Sequence, residues 1–173
     1  MNNKQLRTRY ENAHAVYLQY RDINQTNNTE SEFLPEAREF LKKYFDETFT
    51  VGQGFLNFVG ADFVVNKGED TFTVDLKTCQ HLDQFYCLVD ARRKDEDGNW
   101  TNALDCKITD YFLFINKYYI FLVHYSILYE KIEKLRDDQM FFMTRDLRQT
   151  TKKAKVFINP DETTFIRERQ RAV

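Results

Sequence analysis

The stretch that decides the fold runs from Gly60 to Gln80 and reads GADFVVNKGEDTFTVDLKTCQ. It predicts two strands joined by a polar turn from Asn66 to Asp70. In the second strand Phe72, Val74 and Leu76 alternate with Thr73, Asp75 and Lys77. The two-residue period of an extended chain puts Asp75 and Lys77 on one face, roughly 6–7 Å apart along the strand. In the first strand Asp62 interrupts the apolar series Ala61, Phe63, Val64 and Val65. A carboxylate among such neighbours needs a partner or a cation. Two carboxylates converging with a lysine offer hard oxygen ligands beside a positive charge, a combination that selects Mg²⁺ or Mn²⁺. A metal so held polarises a phosphoryl oxygen and acidifies bound water. The lysine orients that water and offsets charge building at phosphorus. Acid–x–Lys also occurs at Asp105-Cys106-Lys107, but only Asp75-Leu76-Lys77 has an alternating strand around it and an acid-bearing strand before it.

Outward from this window, apolar residues at helical spacing (Phe33, Leu34, Ala37, Phe40, Leu41, Tyr44, Phe45) predict a helix over roughly 33–47, opened by Ser31 and Pro35. A further helix is expected over 4–22, followed by the polar loop Asn24 to Asn28. Extended patterns cover 55–65, 71–78, 85–93, 100–107, 111–115 and 118–124, with 85–107 reading as a hairpin turned at Asp95-Glu-Asp-Gly-Asn. Asn116-Lys117 suits a tight turn in which Asn takes a positive φ. Helical spacing returns at Tyr125, Leu128, Tyr129, Ile132 and Leu135. The expected organisation is one α/β (α+β) domain, a central mixed β-sheet flanked by helices. Residues 1–30 form an N-terminal helix and polar loop, 31–136 the core, and 137–173 a basic C-terminal extension.

Composition narrows the function. The 173 residues carry 25 basic and 27 acidic side chains, net −2, which excludes a uniformly basic coat for nucleic acid but not a local basic face. Three cysteines without a CxxC spacing exclude a disulfide scaffold and fit a reducing, cytoplasmic setting. The first residues lack an apolar signal core, and the most apolar stretch, 111–128, contains Asn116, Lys117 and His124, so no membrane span is expected. Glycine-rich nucleotide loops and GxSxG are missing.

The Gly60–Gln80 pattern resembles the PD-(D/E)xK nucleases, the restriction-endonuclease-like superfamily. Their signature is an acid at the end of one strand and acid–x–Lys on its hairpin partner. Asp62 matches the first acid, with Ala61 where a proline often stands, and Asp75 and Lys77 match the rest. Glu36 on the preceding helix is the best match to an additional family glutamate, and Gln80 to a glutamine that some branches place after the lysine. The resemblance spans about residues 33–125. It implies a restriction-endonuclease-like fold and a Mg²⁺- or Mn²⁺-dependent DNA endonuclease, commonly a homodimer. Asp62, Asp75 and Glu36 would hold the metal, and Lys77 and Gln80 would complete the catalytic set.

Plainer readings stand beside these. Asp75 and Lys77 also suit a solvated strand face, Asp62 a turn or edge, Glu36 a favourable charge at a helix start, and Gln80 a surface position. His124 reads as a core histidine. The aromatic residues 111–121 alternate as core residues would, which leaves base stacking without support. Arg92, Arg93 and Lys94, with Lys152 and Lys153, are the candidate phosphate contacts, since residues 139–173 hold 8 basic against 4 acidic side chains. The alternative function is a catalytically inactive nuclease-like fold serving as a nucleic-acid- or protein-binding module, of the kind phages and mobile elements reuse.

Overall fold

A computed structural model describes residues 32–51, 59–79, 85–144 and 147–170. The helix expected over 4–22, the start of the strand expected over 55–65, and Gln80 lie outside the described residues. The chain begins with helix α1 (Leu34–Tyr44), whose first turn accepts Pro35 because its missing N–H has no helical partner to lose. Strands β1 (Glu47–Thr50), β2 (Phe63–Lys67) and β3 (Asp70–Thr78) follow. Next come β4 (Tyr86–Lys94), β5 (Trp100–Asn102) and a 3-10 turn at Ala103–Cys106. Strands β6 (Tyr111–Ile115) and β7 (Tyr119–His124) lead into helix α2 (Tyr125–Glu133). Strands β8 (Met140–Phe141), β9 (Thr151–Phe157) and β10 (Phe165–Glu168) complete the described chain.

The expected single sheet is two. A six-stranded sheet has the order β1-β2-β3-β6-β7-β10, and a four-stranded sheet the order β5-β4-β9-β8. The larger is mixed, because β3 and β6 run parallel while its other pairs are antiparallel. Parallel neighbours need a long connection. Here that connection carries the β4–β5 hairpin, turned at Asp95–Asn99, where Gly98 has φ +80°.

Each face of the larger sheet has its own cover. Phe63, Val65, Val74, Leu76, Leu113, Ile115, Ile120 and Leu122 pack under α1, against Ala37, Phe40 and Leu41. The opposite face supplies Phe112, Phe114, Phe121 and Val123, packed with Leu128 and Ile132 of α2 and with Cys87, Val89, Ala154 and Val156 of the smaller sheet. The alternation along β3 therefore separates Val74 and Leu76, under the helix, from Asp75 and Lys77, between the sheets.

The segment expected as a basic extension is woven into both sheets. Strand β9 pairs along β4, and β10 closes the far edge of the larger sheet on β7. Val156 to Ile158 read as a strand candidate in the sequence, and β9 (Thr151–Phe157) extends it back through the lysine-rich stretch, whose lysines mask the alternation of buried Ala154 and Val156 with exposed Lys155 and Phe157. The turn after β6 uses Asn116 differently from expectation. Its Oδ1 accepts from the backbone N–H groups of Tyr118 and Tyr119, both at 2.8 Å, and Gln149 is the one non-glycine residue with positive φ among those described. His124 is exposed, contrary to the core reading. At the end of β7 its Nδ1 accepts from the Ser126 N–H at 3.2 Å, capping α2. Among the described residues no helix is long and apolar enough to cross a membrane.

Candidate functional site

The β2–β3 register pairs Phe63 with Val74, so Asp62 and Asp75 are the next opposed residues, with side chains on the same face. Both are buried, 7% and 3% exposed. Asp62 Oδ2 accepts the Leu76 backbone N–H at 2.7 Å. Lys77 Nζ stands 3.1 Å from Asp75 Oδ2, and its side chain is one-third exposed where that of Asp75 is nearly sealed. The three residues expected to form the centre thus converge on the face between the sheets.

A second lysine joins them. Lys107 follows the 3-10 turn, its N–H bonded to Leu104 O at 3.1 Å. That turn is anchored to α2 through Asn102, which donates to Glu133 Oε1 at 2.8 Å, and through Tyr129, whose hydroxyl donates to Asp105 Oδ1 at 2.9 Å. Gly60 makes room for it. A Cβ there would lie 3.2 Å from Lys107 Cδ, 3.5 Å from Asp75 Oδ2 and only 2.2 Å from Thr109 Oγ1. Thr109 fills that space and donates to Gly60 O at 2.7 Å. The Asp105-Cys106-Lys107 tripeptide that context set aside in the sequence therefore contributes its lysine. Nothing local signals this, because Lys107 acts on the charge of Asp75 across 32 positions of chain.

Burial and mutual repulsion separate the two carboxyls. Asp62 is pushed up to about 8, first by burial and then by the charge of Asp75. For Asp75 burial also opposes ionisation, but Lys77 and Lys107 outweigh it and hold the carboxyl below its ordinary value. Burial in turn lowers Lys107, against the pull of Asp75. The pair so behaves as one protonated and one ionised acid near neutrality.

Of the pair, Asp75 opens onto a cavity of about 190 Å³ between the sheets, lined also by Lys77, Asp90, Lys107 and Lys153. Asp90 and Lys153 are direct partners across β4 and β9, and their side chains meet at 2.7 Å. Arg93 Nη2 reaches the other Asp90 oxygen at 3.3 Å. Burial opposes the Asp90 charge, yet Lys153 and Arg93 hold its carboxyl well below the usual range.

The remaining sequence candidates go elsewhere. Glu36 is on the helix-covered side, where Arg169 grips both its oxygens at 2.8 and 2.9 Å and also donates to Asn116 O. Among the described residues no three ligating side chains gather, so the centre offers two carboxylates. Of the basic residues, Arg93 and Lys153 turn to Asp90, and Arg92 donates to Ala91 O. Lys94 and Lys152 sit over the partly exposed Trp100 ring, at 5.2 and 4.6 Å. Comparison of the chain with protein-family models, with curated proteins and with solved structures finds no match, so the site is read from its own geometry.

Proposed function

We propose that this chain is a metal-dependent phosphodiester hydrolase acting on nucleic acid, DNA above all, with a restriction-endonuclease-like arrangement of its mixed sheet. The observation that carries the reading is the meeting of Asp62 and Asp75 across β2 and β3, with Lys77 3.1 Å from Asp75 at the rim of a cavity. Two carboxylates suit Mg²⁺ or Mn²⁺, because Mg²⁺ keeps several waters and takes one or two carboxylates together with substrate phosphate oxygens. Bound by Asp62 and Asp75, such an ion would polarise the phosphoryl group and acidify a water.

The side chains do the rest. Lys77, partly exposed, orients the attacking water and offsets charge at the phosphorus. Lys107 keeps Asp75 ionised and adds positive potential behind the phosphoryl oxygens. The burial of Asp75 strengthens each of these interactions relative to open water. A homodimer would bring two such centres to the two strands of a duplex. The three cysteines, all buried and none in a disulfide, suit a reducing cytoplasmic setting.

Incubation of plasmid, single-stranded DNA and RNA with Mg²⁺, Mn²⁺ or EDTA tests the proposal, with wild type and Lys77→Ala side by side. Cleavage by wild type with metal, lost in EDTA and in the variant, supports it. Equal cleavage by Lys77→Ala contradicts it.

One arrangement favours the second reading, a non-catalytic binding module. Glu36 is committed to Arg169, and Lys94 and Lys152 flank an exposed tryptophan that could stack on a base. On that reading nucleic acid binds without cleavage, and Trp100→Ala weakens binding where Asp75→Asn does not.

A further inference from the structure

We infer that the cavity between the two sheets is a pocket for a phosphate monoester, and that it seats the terminal phosphate of a nucleic-acid strand beside the carboxylate pair. The second half of the inference rests on the proposed hydrolase reading; the first does not.

Charge is the first argument. Lys77, Lys107 and Lys153 line the cavity with Asp75 and Asp90, and Arg93 pairs with Asp90 from beside it. Among the described residues four cations face those two carboxylates, and they remain in excess even when Asp62, behind Asp75, is counted as a third. Each carboxylate is already shared, Asp90 between Lys153 and Arg93, and Asp75 between Lys77 and Lys107. Cations crowded into a partly dry space repel one another, and an anion relieves that repulsion. A dianionic monoester does so better than a singly charged diester.

Size and access point the same way. About 190 Å³ equals the liquid volume of about six waters. That holds a phosphate and a few attached atoms, not a length of duplex. The Lys77, Lys153 and Asp90 side chains are 33%, 32% and 30% exposed, so the charged rim is open, while Asp75 at 4% forms the floor. A phosphate entering past the rim meets Lys153 from the smaller sheet and Lys77 and Lys107 from the larger. It is then adjacent to Asp75, and the chain leading from it must pass out through the same mouth. The pocket thereby selects strand ends over internal positions.

The test uses the full chain in EDTA, so that binding is read without cleavage, with inorganic phosphate as probe and chloride of equal ionic strength as reference. Thermal unfolding and calorimetry should show stabilisation by phosphate in wild type. Binding should weaken at least tenfold in Lys107→Gln and in Lys153→Gln. Lys153→Arg should retain it, as should Lys155→Gln, whose side chain is exposed on the same strand. Single strands ending in 5′-phosphate, 3′-phosphate or hydroxyl groups then compete against inorganic phosphate. Competition at least tenfold better by one phosphorylated end supports the strand-end assignment; equal competition by all three overturns it in favour of internal phosphates, and competition by none overturns it in favour of free phosphate. Equal responses to phosphate and chloride, or undiminished binding in both lysine variants, overturn the pocket. Phosphate binding with no cleavage under any metal would sink the hydrolase reading and leave the pocket standing. Metal-dependent cleavage indifferent to end phosphorylation would sink the strand-end assignment and leave the hydrolase reading standing.

Discussion

Replacing Asp62 by Asn in metal-free protein separates the electrostatics of the carboxylate pair from its catalytic role. In the folded wild type the Asp62 carboxyl is raised from 3.8 to about 8. Between these values the folded state holds a proton that the unfolded chain releases, so stability falls as pH rises from about 4 to about 8 and then levels. The slope is about 1.4 kcal/mol per pH unit, and over the window the loss has an upper bound on the order of 5 kcal/mol. Asp75 and Asp90, both held low, act in the opposite sense and below that window. Their stabilisation is present above the unfolded carboxylate value and is lost as acid protonates them. Asp62→Asn removes the titrating group but keeps an oxygen for the Leu76 N–H. Its melting temperature in EDTA should match wild type near pH 4. At pH 8 it should exceed wild type by up to about 10–20 °C, at about 2–4 °C per kcal/mol for a chain of this size. Circular dichroism melts at half-unit pH steps read this directly. Parallel pH profiles for the two proteins would refute the upward shift of the Asp62 carboxyl.

Three further outcomes follow from the same geometry. Gly60→Ala should destabilise by more than about 1–3 kcal/mol, because φ +90° is strained for alanine and its Cβ would collide with Thr109 Oγ1; denaturant unfolding checks this, and an unchanged midpoint would place Lys107 and Thr109 elsewhere. Glu36→Gln should lower stability by about 0.5–1 kcal/mol through loss of a partly exposed bidentate pair while leaving metal-dependent cleavage intact; loss of cleavage without loss of stability would return Glu36 to the metal. Lys107→Gln should leave Asp75 harder to ionise, so that cleavage falls at least tenfold and its pH profile moves upward; a profile of unchanged shape would remove Lys107 from the site.

The parts of this molecule that were legible in its sequence are those set by local period. The β2–β3 hairpin, α1, α2 and the β6–β7 pair follow from alternation or helical spacing, and the opposed Asp62 and Asp75 follow from the hairpin alone. Of the second sheet the β4–β5 hairpin was legible but the place of β9 was not, because β9 interleaves its apolar residues with Lys152, Lys153 and Lys155 and because its pairing with β4 joins segments far apart in the chain. Lys107 was hidden for a related reason. Its approach to Asp75 depends on the space above Gly60 and on a turn anchored to α2, neither of which has a local signature. Glu36 misled because a helix-start acid suits the helix dipole, a metal or an arginine equally well, and the arginine, at position 169, comes just after the last strand.

Calorimetric titration of Mn²⁺ into wild type, Asp75→Asn and Asp62→Asn tests the central claim most directly. The account predicts one site in wild type, with uptake of metal releasing close to one proton at pH 7 as Asp62 ionises, and binding weakened at least tenfold in either variant. Mn²⁺ binding of equal strength in all three proteins, or none in wild type, would contradict it.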